Sequence, residues 1–388
     1  MKLYYLVQCF SLLQKNMKYS HIDLAVLAIV CLLSACSLTK NGQDYDSIEF
    51  KPSDEIQTVF DSLLIDRMTE LRTHAAYGAV MEVKTGNIVA LSNWEMQGDS
   101  VQRSYNHMLL DCVDPGSAFM IASYAAMLEN GAITPDAVID TENTMENLST
   151  FDYHGISIRD DHPCGAITAD EAMVQSSHIA IAKMITETYE SNPQNYLEAI
   201  NTLGWFLTPE LSIDGDTLQT AETRSVNDAT WSKASLAQIS YGYEMRSTPI
   251  HTLLFFNSIA NDGVRPGVGR ICSKSTVELI KHSLEGVVDH GTGSTLWANA
   301  ETIIKNGAKS QLVRIAGKTG TAQIFKNGTY SGNGHYVTFV GYFPADNPQY
   351  SCIVTMEATP GGNYGRPGGG YMAGPVVRKL AESIYQGK

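Results

Sequence analysis

The sequence predicts an α+β domain: an antiparallel sheet flanked by helices, with a mostly helical subdomain. Two observations carry this. Strand-like hairpins stand near both ends of the chain, and helical apolar patterning fills the region between them. The sheet is therefore expected to be closed by the two termini of one domain, and no internal repeat is present. With 388 residues, 44% of them hydrophobic and 18% charged, the chain can bury a large core. Its formal charge of −14 excludes nucleic acid as an expected partner.

Asp54 to Arg72 spaces Ile56, Val59, Phe60, Leu63, Leu64, Met68 and Leu71 at helical intervals. Tyr77 to Glu82 and Ile88 to Ser92 read as strands joined by Lys84-Thr85-Gly86-Asn87, whose glycine supplies the positive φ of a tight turn. The middle, about Ser117 to His290, is expected to be mostly helical. Tyr336 to Phe343 and Tyr350 to Glu357 form the second hairpin around Pro344-Ala345-Asp346-Asn347-Pro348, and a last helix runs from about Pro375 to Tyr385. The glycine cluster from Gly361 to Gly374 reads as a loop. It is not a phosphate cradle, because it neither follows a βα unit nor precedes G-K-[ST].

Neither a cofactor nor a metal is expected. The seven cysteines, Cys9, Cys31, Cys36, Cys112, Cys164, Cys272 and Cys352, contain no C-x-x-C pair, and His154, His162, His251 and His335 lack ligand spacing. The four cysteines after Cys36 read as small buried residues. Trp94 and Trp205 read as packing residues.

The apolar run Leu24 to Leu33 is too short to span a bilayer, which takes about 20 residues, and suits a secretory signal. It ends in Leu33-Ser34-Ala35-Cys36, which resembles a bacterial lipobox and implies a lipidated Cys36. Met17-Lys18 offers an alternative start, and the alternative to a cleaved leader is a short uncleaved anchor. Either implies a globular part outside the cytoplasm. The expected organisation is 1–36 signal and lipobox, 37–75 tether and short helix, and 76–388 the catalytic-type domain; Asn41 to Pro52 is polar and aperiodic, as a tether would be.

Three spaced elements carry chemistry. Asp114-Pro115-Gly116-Ser117-Ala118-Phe119-Met120 makes a turn and then opens a helix at Ser117, where free N–H groups and the helix dipole favour an oxygen nucleophile. Taken alone, this serine reads first as an ordinary helix cap. Ser176-Ser177-His178 precedes another apolar helical run, and Ala316-Gly317-Lys318-Thr319-Gly320-Thr321-Ala322-Gln323 follows later.

Together these resemble the S-x-x-K, S-x-N and K-T-G set of the penicillin-binding proteins. Further matching segments are Lys84-Thr85-Gly86, Gly242-Tyr243-Glu244 with Thr248-Pro249, Ala260-Asn261-Asp262-Gly263, Val287 to Gly293, and Phe339-Val340-Gly341-Tyr342-Phe343-Pro344. The resemblance covers about residues 76–388. It is nearest to the monofunctional elongation and division transpeptidases of the serine β-lactamase and D,D-peptidase superfamily, without their large N-terminal pedestal domain.

The resemblance implies a cell-envelope protein that binds a peptidoglycan stem peptide or a β-lactam. Ser117 would be the nucleophile and Ser176 a proton-shuttling hydroxyl. Lys318 would partner the substrate carboxylate, beside Thr319, Gly320 and Thr321 of the same strand. Two positions depart from the pattern: Met120 replaces the motif lysine and His178 the motif asparagine. A thioether accepts no useful proton, so acylation should slow unless another base serves. His178 could form a dyad with Ser117; the alternative is a site released from catalytic demand. Three functions stay open: an impaired transpeptidase, a pseudoenzyme binding stem peptide or a cell-wall protein partner, and a β-lactam sensor or β-lactamase.

Overall fold

In the computed structural model the described residues are 48–142, 144–146, 150–297, 303–305, 308–310, 313–326, 329–330 and 334–385. The expected leader, Cys36 and most of the expected tether lie outside them. The principal elements are α1 (Asp54–Leu71), β1 (Ala75–Glu82), β2 (Ile88–Gln97), β3 (Ser100–Arg103), α2 (Met120–Glu129), α3 (His178–Tyr189), α4 (Pro249–Ala260), α5 (Lys274–Asp289), β4 (Ala316–Gln323), β5 (His335–Phe343), β6 (Tyr350–Ala358) and α6 (Gly374–Tyr385). Six strands form one antiparallel sheet in the order β4-β5-β6-β1-β2-β3. The first and last parts of the domain meet at the β1–β6 pair, with Tyr77 opposite Thr355.

Both sheet faces are covered, which explains why β1 is almost wholly apolar rather than alternating. Ala75, Tyr77, Ala79 and Met81 enter one core, and Ala76 and Val80 enter the other. The second core is roofed by α1 and α6. On α1, the expected stripe buries Ile56, Phe60, Leu64, Met68 and Leu71, while the Ser53 hydroxyl accepts from the Ile56 N–H at its start. The first core is roofed by α4, whose residues are all buried, so it shows no polar face. The hairpin turn after β1 carries Gly86 at φ +73, the left-handed conformation expected of it.

Three details differ from expectation. Residues 48–52 do not hang free: Ile48 is buried, and the strand-like backbone of Glu49 and Lys51 bonds to both sides of Ile88. The helical middle also holds short ribbons, such as Phe151–Tyr153 with Ile156–Ile158, whose strands are too short to show a period in the sequence. The glycine cluster contains a one-turn helix, Gly369–Met372, at the rim of the cleft described below. Cys112, Cys164, Cys272 and Cys352 are free, the last two buried and the first two half-buried. Among the described residues no helix is long and apolar enough to cross a membrane.

Candidate active site

Among the described residues the edge strand β4 has a neighbour on one side only; its other side borders a cleft of about 800 Å³. Opposite it stand the Ser117 turn and the start of α3. Ser117 lies in a 3₁₀ turn, Gly116–Phe119, that runs into α2, one turn earlier than a simple helix start. The turn is fixed from several directions. Asp114 accepts from the Met245 N–H and from the Tyr330 hydroxyl, at 3.2 and 2.8 Å. Gly116 adopts φ +58 and donates to the Gly242 carbonyl at 3.1 Å. A Cβ on Gly242 would stand 2.1 Å from the Gly116 oxygen, so only glycine allows the two backbones this close.

The structure brings Ser117, Met120, Ser176, His178 and Lys318 into one connected group. Ser117 Oγ lies 2.9 Å from His178 Nε2. The backbone of Arg159 faces the ring and favours its charged form. In the tautomer with its proton on Nδ1, Nε2 presents its lone pair to the serine hydroxyl. Tyr241 stacks on the imidazole, with centroids 5.0 Å apart and planes at 18°. Burial holds the imidazole below the ordinary histidine range; Asp160 and Asp161 oppose that shift, and Lys318 reinforces it. At neutral pH the ring is therefore uncharged, and with its proton on Nδ1 it can accept the Ser117 proton.

Met120 is fully buried. Ser176 Oγ donates a weak bond to its sulfur at 3.6 Å and accepts from Lys318 Nζ at 2.7 Å. Ser176 holds φ +56, an uncommon conformation for a residue with a side chain, stored where the hydroxyl must meet the lysine. Lys318 also donates to the Thr319 carbonyl at 3.2 Å and has no exposed surface. Its ammonium therefore stands behind the cleft wall, while Thr319 and Thr321 line the cleft itself. Thr319 shares a 2.7 Å hydroxyl bond with Thr292. Gly320 lets β4 approach the serine turn: a Cβ there would sit 3.3 Å from the Pro115 oxygen.

Burial alone pulls Lys318 down to about 7. The unfolded side chain, near 10.4, holds its proton over a range where the folded one has lost it. The resulting penalty is complete below pH 7 and fades as pH rises from about 7 to 10. Lys318→Met is therefore expected to stabilise the fold by on the order of a few kcal/mol below pH 7. The gain should shrink steadily toward pH 10 in thermal melts; a gain that is flat with pH would refute the charge argument.

Several cleft residues had no signal in the sequence. Arg159, Asp161 and His162 come from the irregular loop after Ile158, and Arg366 from the glycine cluster. Arg366 crosses the mouth of the cleft to the Asp161 carboxylate at 2.5 Å. Tyr241 could have been suspected, since it precedes the quoted Gly242-Tyr243 pair. His162 and His335 line the cleft, whereas His251 is a satisfied core residue between the hydroxyls of Thr208 and Thr248, held by burial at about 3. Trp205 is buried in the core against Phe119 and Phe255, and Trp94 stacks under Arg103. Away from the cleft, His107, Asp111 and Glu357 form a group with metal-ligand chemistry, in which the His107 ring nitrogens already contact the carboxylates of Asp111 and Glu95 at 2.8 and 3.1 Å.

The family model described as "Penicillin binding protein transpeptidase domain" matches residues 76–382. The chain belongs to this family. Among curated relatives, it is 26% identical to the "Probable peptidoglycan D,D-transpeptidase PenA" of Neisseria flavescens, over 89% of this chain and 82% of that one. It is 23% identical to "Penicillin-binding protein PbpB" of Mycolicibacterium smegmatis, over 79% and 49% of the two chains. It thus spans only about half of that penicillin-binding protein, and likewise 56% of the PenA protein of Neisseria meningitidis. The transpeptidase domain of penicillin-binding protein 3 from Burkholderia pseudomallei shares the fold, with a TM-score of 0.71 and 23% identity over 90% of this chain and 97% of that one. Penicillin-binding protein 3 from Mycobacterium tuberculosis, solved with aztreonam, superposes with a TM-score of 0.69 and 22% identity over 86% and 77% of the chains.

Proposed function

We propose that this penicillin-binding transpeptidase domain is a serine acyltransferase acting on D-Ala-D-Ala stem peptides of peptidoglycan, with its general base moved from position 120 to His178. The observation that carries the reading is the 2.9 Å contact of Ser117 Oγ with His178 Nε2. Names of relatives supply the substrate class.

In the proposed step the stem peptide lies along the free edge of β4, as an added strand would. Its C-terminal carboxylate meets the hydroxyls of Thr319 and Thr321, with the Lys318 charge behind them. Ser117 Oγ bonds to the penultimate carbonyl carbon while its proton passes to His178 Nε2. The carbonyl electron pair moves to oxygen, faced by backbone N–H groups of the serine turn and β4. The pair returns as the C–N bond breaks, and the imidazolium hands its proton to the departing D-alanine amine. A second stem-peptide amine then attacks the acyl-serine by the reverse sequence. A β-lactam ring enters by the same first step, but its amine stays tethered.

Intact mass after incubation with benzylpenicillin tests the reading. One adduct on the natural chain and none on Ser117→Ala is expected; an unmodified natural chain after hours at saturating drug would sink it. The second reading, a pseudoenzyme binding stem peptide or a cell-wall partner, is favoured by the buried Met120 sulfur, which takes the Ser176 bond where the family places an amine. Binding of a D-Ala-D-Ala peptide without any adduct would select it. We further propose a place in the cell envelope, held through a lipid on Cys36 at the end of the leader segment.

A further inference from the structure

We propose that Asp160 is a positioning residue for acyl transfer, forming the electrostatic third member of an array with Ser117 and His178. The proposal rests on the reading of His178 as the base, and deepens it. Its starting point is a difficulty. His178 is the first residue of α3, where the positive end of the helix dipole opposes a cation. Burial opposes it as well, and so does Lys318. An imidazole placed there would accept the serine proton poorly unless a negative charge offset these effects.

Asp160 supplies that charge from a fixed position. One carboxylate oxygen accepts the Ile179 N–H at 3.0 Å, and the other accepts the Ser177 hydroxyl at 2.8 Å. Ser177 in turn caps α3 by accepting from the Ala180 N–H at 3.0 Å. The carboxylate is therefore bonded to the residues on either side of His178, and the preceding Arg159 backbone also favours the charged ring. One short segment, Arg159-Asp160, thus sets the field of the base. The ribbon Phe151–Ile158 delivers that segment to the helix start.

The other groups facing the ring do not duplicate this role. Asp161 is exposed and paired with Arg366 across the cleft. Tyr241 contributes a ring face, and Ser117 and Ser176 are neutral. Among the described residues no lysine or arginine forms an ion pair with Asp160, so its charge is not cancelled locally.

Asp160→Asn keeps the size and one acceptor but removes the charge. Its His178 signal, followed by NMR of histidine-labelled protein, is expected to titrate at lower pH than in the natural chain. Acylation by a fluorescent penicillin should slow about three- to tenfold at neutral pH, with its acid limb moving to lower pH. Asp160→Glu should recover part of the rate. An Asp160→Asn protein that melts normally yet leaves both the His178 midpoint and the acid limb in place would overturn the proposal. So would one that loses activity with an unmoved midpoint, since that is a purely structural role. If the asparagine variant does not fold, Asp160→Ser, which still offers an acceptor to Ile179, is read in the same way. A His178→Ala protein that labels like the natural chain would instead end the underlying reading. Loss of labelling there with an unaffected Asp160→Asn ends only the present proposal.

Discussion

Alanine at position 178 is expected to slow acylation of Ser117 by about 10²–10⁴-fold, the usual cost of losing a general base. The reason is local. His178 Nε2 is the group hydrogen-bonded to the serine oxygen, and the neighbour that would otherwise serve, Met120, offers only a thioether. Lys318 does not substitute directly, because its amine is engaged by Ser176 and the Thr319 carbonyl. Time courses with a fluorescent penicillin measure the effect, and a melting curve separates lost chemistry from lost folding. Labelling of His178→Ala at the natural rate would show that the 2.9 Å contact is structural only.

The second large effect comes from rebuilding the family's motif pair. His178→Asn alone should behave much like the alanine variant. Adding Met120→Lys to it places an amine one helical turn from Ser117, on the same face. The double variant is expected to regain at least about 10²-fold over His178→Asn. Introduced by itself, Met120→Lys should raise acylation less, because a base already stands at the serine. It also sets a second buried amine near Lys318, so the two changes should be non-additive and the melting temperature should fall. A double variant no faster than His178→Asn would mean that the loss of lysine is not what shaped this site.

Much of the fold was legible because it rests on local patterns. The stripe of α1, the two hairpins and the last helix each announce themselves through period and turn chemistry, and the structure places them within a few residues of expectation. The serine, Ser176-Ser177-His178 and Lys318 strings were equally visible. What escaped was whatever lies in irregular backbone. Arg159 and Asp160 follow a ribbon of three-residue strands, and Arg366 sits among glycines, so neither segment carries a period or a motif. Ile48 and Phe50 were hidden in a segment whose overall polarity suggested a tether.

By itself the sequence determined the family, the α+β class and the two substitutions, because those depend on residue identity and order. Whether Met120 and His178 compensate one another could not be read from order alone. His178 lies 61 positions from Ser117 in the chain, and a proton moves only across a contact. The tertiary structure decided that contact, and with it the burial of the ring and of Lys318. Each arises where separate segments pack together and exclude water, which is what sets hydrogen-bond direction and proton affinity.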